Sequence, residues 1–123
     1  MNEYLKPFVA ASSFLVVFPF YIEVMNIPKL KKNYNYRLYT QIAPLYLGML
    51  NMFSYCLEKN LNISKLKRLL IVSIISPSIV FYVAKRSNSY NFTTKEWILY
   101  GVYLFIRHFL TYFIIIYFIE QII

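Results

Sequence analysis

The chain has 123 residues, room for one domain, and 59% of them are hydrophobic, with a mean hydropathy of +0.50. Charged residues make up 15% of it, against roughly 25% in an average soluble domain, while the formal net charge is +8. That balance excludes an ordinary water-soluble domain of this size and makes a lipid bilayer the expected solvent.

Four apolar spans are predicted in chain order: Pro7 to Ile27, Tyr39 to Leu57, Leu69 to Ala84 and Trp97 to Ile119. Only Glu23 and Arg107 among the charged residues fall inside them. A bilayer core excludes charge in this way, whereas a soluble fold scatters it along every element. A hydrocarbon layer about 30 Å thick needs about 20 helical residues at about 1.5 Å each. The first, second and fourth spans meet this length. The third is short and is expected to extend through Leu66, with Lys67 and Arg68 laying their stems along the helix and their charges at the interface. Transmembrane strands would alternate apolar and polar residues, and runs such as Phe14 to Phe18 and Phe113 to Phe118 do not. The expected fold is therefore all-α, a single membrane domain over residues 1–123 with four transmembrane helices in an up-down bundle.

Each span carries a polar or small stripe. In the first, Ser12, Pro19 and Glu23 share roughly one side; Glu3 and Lys6 make a poor basic leader, so the span is expected to be retained. The second presents Gln41, Pro44, Gly48, Asn51, Tyr55 and Glu58 at intervals of three and four, where Gly48 admits a close neighbour and Asn51 can bond across to it. The third offers Ser73, Ser76 and Pro77. The fourth places Tyr103, Arg107 and Thr111 on one face, with His108 adjacent. An arginine at mid-span costs roughly 2.5 to 3.5 kcal/mol to insert, so Arg107 is expected to find partners, Glu23 or Asn51 or a neighbouring subunit.

The connections hold most of the charge. Lys29, Lys31, Lys32 and Arg37 follow span one, Lys67 and Arg68 precede span three, and Lys85 and Arg86 follow it. Each cluster abuts a membrane end, where basic residues gain about 1 kcal/mol each near anionic lipid. Anionic head groups are thus the expected contacts, and the distribution points away from nucleic acid. The positive-inside comparison favours termini on the outer or lumenal side by a small margin. Two sequons, Asn62-Ile63-Ser64 and Asn91-Phe92-Thr93, fall on opposite faces and are expected to be unmodified.

Catalytic chemistry finds little to work with. One His, one Cys and no Asp leave no Ser-His-Asp triad, metal cluster, carboxylate pair at depth or paired-cysteine motif, so no cofactor is expected. Cys56 is expected to be a packing residue.

The segment Ala43-Pro44-Leu45-Tyr46-Leu47-Gly48-Met49-Leu50-Asn51, Ser76-Pro77 in the next span and the Asn/Ile/Lys/Tyr-rich composition resemble small multi-pass membrane proteins of nucleocytoplasmic large DNA viruses. The resemblance implies a virion membrane component packed beside other membrane or capsid proteins; the same features suit an accessory subunit of an organellar membrane complex. The expectation is a non-enzymatic structural subunit in a homo-oligomer or larger assembly. Its rival is a small oligomeric ion channel or transporter with Arg107 and His108 facing a pore.

Overall fold

The computed structural model describes residues 2–17, 34–86 and 92–123. Four helices account for nearly all of them, and no strand occurs among the described residues: α1 (Leu5–Val17), α2 (Tyr34–Leu61), α3 (Lys65–Arg86) and α4 (Thr94–Ile114). The last continues through a π-helical segment, Ile115–Ile119, into a terminal turn, Glu120–Ile122. The helices reach further than the predicted spans, by five residues before Tyr39 and four before Leu69. The second half of span one, with Pro19, Glu23, Lys29, Lys31 and Lys32, lies outside the described residues.

Sequence neighbours run antiparallel. Ser12 donates to the carbonyl of Pro44 while Asn51 reaches back to Pro7, which fixes α2 against α1. Tyr46 bonds Ser76 and Arg68 bonds Ser54, setting α3 against α2; Ser76 meets His108 and Phe81 meets Trp97, setting α4 against α3. The π segment then returns to α1, closing the ring. Gly48 makes the tightest crossing, because a Cβ there would lie 2.5 Å from Ser12 Oγ and 3.0 Å from the Phe8 ring. The close-approach role expected of Gly48 is what the α1–α2 contact requires.

The core combines Ala10, Ala11 and Phe14 of α1, Leu47 of α2, Leu69 and Val72 of α3, and Tyr112, Ile115 and Ile116 of the last helix. A second cluster at the opposite end of α3 and α4 packs Tyr100 and Leu104 with Phe81, Phe92 and Trp97. Local chemistry ends and starts the helices. Asn62 takes a left-handed φ of 54° between α2 and α3, a conformation asparagine tolerates after a helix. Ser64 Oγ then accepts from Lys67 N–H. Thr93 and Glu96 form a capping box at the start of α4, which satisfies two backbone donors reciprocally. The hydroxyls of both sequons are thus used in capping.

Two segments, Lys65–Val83 and Thr94–Ile122, are long and apolar enough to cross a membrane; among the described residues they are the two that meet this test.

Candidate functional site

Arg68 lies in the first turn of α3, between Lys67 and the core residue Leu69. The expectation that it reaches lipid head groups is overturned: the residue is 1% exposed, while Lys67 beside it is exposed. The reason is register. Arg68, Val72 and Ser76 recur every four residues and are all buried, so the arginine stands on the face that packs inward. A buried guanidinium is tolerable only if its donors are met.

All five are. Nε donates to Ser54 Oγ at 2.9 Å. Nη1 donates to Glu120 Oε1 at 2.9 Å and to Glu58 Oε2 at 3.3 Å. Nη2 donates to Asn51 Oδ1 at 3.0 Å and to Glu120 Oε2. The two bonds to Glu120 are the parallel fork that the planar guanidinium makes with a carboxylate. Asn51, fully buried, donates to Glu120 Oε2 at 2.7 Å and to the Pro7 carbonyl at 2.9 Å. One knot therefore draws on α1, α2, α3 and the terminal turn.

Glu120 reaches this knot because of the π segment. Buried Leu104, His108, Thr111 and Ile115 follow helical spacing, and continued α geometry would bring Ile119 to that line next. The wider π turn holds one extra residue, so Glu120 arrives there instead, its side chain 8% exposed. The spacing of Arg68 with Val72 and Ser76 was the signal for the arginine's burial. For Glu120 there was none, since a π segment has no local signature.

Outside the knot, Glu3 pairs with Lys59 at 3.7 Å and accepts from the Tyr55 hydroxyl at 3.5 Å. The Glu3 carboxylate, and after it Tyr55, raises the Lys59 pKa above its ordinary value. The Tyr55 ring lies under the Arg68 guanidinium, 5.4 Å from centroid to Cζ, within cation–π range. A polar cleft of about 500 Å³ opens here, lined by Glu3, Tyr55, Glu58, Lys59 and Glu120 among others.

A second buried cluster lies deeper. Ser76 Oγ and His108 Nδ1 are 2.7 Å apart, and the Tyr112 hydroxyl is 3.4 Å from the same oxygen. The spacing matches a nucleophile and its base, yet Ser76 is fully buried and His108 is 4% exposed. The pair is sealed in the bundle, where it joins α3 to α4.

The remaining expected residues divide plainly. Asn51 bonds across helices as expected, but to Pro7, Arg68 and Glu120 rather than to Arg107. Among the described residues Asn51 and His108 belong to separate hydrogen-bonded clusters. Arg107 is half-buried, about 100° around α4 from His108. Lys67, Lys85 and Arg86 are exposed at helix ends, with Lys85 Nζ 5.9 Å from the centroid of Phe81. Gln41 and Arg37 fall in the first part of α2, where only the backbone is described, and Glu23 lies outside the described residues. No group of three His, Cys, Asp or Glu side chains among the described residues is placed to hold a metal.

No family model matches the chain, and neither the curated proteins nor the solved structures contain a match to it.

Proposed function

We propose that the chain is a four-span, non-enzymatic membrane protein that serves as a structural or scaffolding subunit of a larger assembly, in a virion membrane or an organellar membrane complex. The observation that carries this is the inverted distribution of polarity. Arg68, Asn51, Ser54, Ser76, His108 and Thr111 are buried, whereas Ile74, Ile79, Ile98, Val102 and Ile106 are exposed. In water this arrangement would leave the apolar contribution on the wrong side; in lipid it pairs the inward polar side chains named above and leaves the hydrocarbon face outside.

The two apolar segments give the same preference. A core helix of a soluble domain is mostly buried, but only 39% and 33% of these two are covered within the bundle. So small a bundle leaves wide helix faces for lipid or for other chains, and association through them suits a subunit better than a free-standing protein. The sealed Ser76–His108 pair supports a packing role over chemistry. The partners are anionic lipid and other membrane or capsid proteins, or further copies of this chain.

The test is the mass and composition of the complex extracted from its native membrane in mild detergent. Recovery with other proteins in fixed proportion supports the scaffold and names its assembly. A pure, small, closed oligomer instead favours a channel built from several copies around Arg107.

A further inference from the structure

The cleft at the knot end of the bundle holds charges that the knot does not use. Arg68 is matched by Glu120, and Lys59 by Glu3. Two lysines on the same cleft, Lys6 and Lys65, are left over, and Glu58, which shares Arg68 with Glu120, leaves the second carboxylate there in surplus. Glu58 lends Oε2 to Arg68; among the described residues Oε1 accepts no hydrogen bond, and neither lysine ammonium meets a carboxylate. The remaining set is one carboxylate oxygen and two ammonium groups around a space of about 500 Å³, within the roughly 300 to 1,000 Å³ typical of small-ligand sites.

We propose that this cleft binds a phospholipid headgroup bearing one ammonium and two anions, a phosphodiester and a carboxylate. Lys6 and Lys65 take the two anions and Glu58 takes the ammonium. The headgroup's charges are the complement of the two lysines and the surplus carboxylate, and its fit follows from what the alternatives leave unmet. An aminoethyl phosphate satisfies one lysine fewer. A glycerol phosphate presents no cation to Glu58. A trimethylated ammonium has no N–H to donate to the free Glu58 oxygen. The position is suitable as well, because the cleft is built from the start of α1, the end of α2, the start of α3 and the terminal turn, all at one end of the bundle. This inference rests on the membrane reading above.

The test is native mass spectrometry of the full chain in detergent micelles containing phosphatidylserine, phosphatidylethanolamine and phosphatidylglycerol in equal proportion. One phosphatidylserine should be retained with a preference of about fivefold over each of the others, the scale of one well-placed charge contact. The double variant Lys6→Ala/Lys65→Ala should lose that preference. Glu58→Gln, which keeps the side chain's shape and leaves the Arg68–Glu120 fork in place, should narrow the preference over phosphatidylglycerol and leave that over phosphatidylethanolamine unchanged. Equal retention of all three lipids by the unaltered chain, or a preference that survives loss of both lysines, would overturn the proposal. Displacement by equimolar soluble O-phosphoserine would overturn its lipid component and assign the cleft to a soluble ligand. Carbonate extraction of the native membranes, before detergent is added, separates the two readings. A chain that stays in the pellet without headgroup preference sinks this site alone, whereas a chain released to the supernatant sinks the membrane reading.

Discussion

Arg68 and Glu120, 52 residues apart in sequence, are joined by two hydrogen bonds that tie the corner between α2 and α3 to the last turn of the chain. Both side chains are buried, at 0% and 8% exposure, so neither charge has water to fall back on. Removing one partner leaves the other undercompensated, with Glu58 alone facing Arg68 or the Asn51 amide alone facing Glu120. Arg68→Met and Glu120→Leu should each destabilise the bundle by about 3 to 5 kcal/mol, while the double variant should return to near the starting stability. Unfolding in mixed micelles, read by circular dichroism, gives all three values; additive losses in the double variant would show that the two residues act independently.

The π segment makes a separate demand. Deleting Phe118, an exposed residue within it, should convert the segment to α-helix while keeping Glu120 on the inward line, with little loss of stability. Inserting one alanine between Ile119 and Glu120 rotates the carboxylate by about 100° and should cost as much as Glu120→Leu. The same unfolding assay compares them. Equal penalties for deletion and insertion would mean that the segment does not set the aim of Glu120.

At the α1–α2 crossing, Gly48→Ala brings a methyl group against Ser12 Oγ and the Phe8 ring. The Ser12 hydroxyl is held by the Pro44 carbonyl at 3.0 Å, so it cannot easily move aside. A loss of about 1 to 3 kcal/mol is expected, partly recovered by adding Ser12→Ala. Gly101→Ala, whose nearest neighbour would be a Phe81 ring carbon at 3.3 Å, should be milder. A reversed order of the two glycines in the unfolding assay would contradict this account of the crossing.

The Ser76–His108 pair is expected to be inert. A fluorophosphonate probe should leave Ser76 unlabelled in the folded chain, because the hydroxyl is fully buried. Ser76→Ala should instead lower stability by about 1 to 3 kcal/mol, the cost of a buried imidazole nitrogen left without its partner. Stoichiometric labelling of Ser76 in the native bundle would point to an enzyme.

Much of the architecture was legible in the sequence, because segregation of charge from apolar runs reports helices and their approximate ends directly. Gly48 and Asn51 were legible too, since a small residue and an amide on one face have few other uses in an apolar helix. Arg68 was misread for a physical reason. Beside Lys65 and Lys67 it looks like one more interfacial cation, and only its four-residue spacing with Val72 and Ser76 separates it from them. Glu120 was hidden more deeply, as its inward aim depends on one extra residue per turn between Ile115 and Ile119, which follows from tertiary packing rather than from local preference.

The membrane function proposed above requires the chain to thread the bilayer repeatedly, with the knot end of the bundle on one side and the start of α4 on the other. With Cys56→Ser as background, single cysteines at exposed Asn60 and Lys95 can be labelled in sealed vesicles by a membrane-impermeant maleimide. The account predicts that the two positions label from opposite sides. Labelling of both from the same side would contradict it.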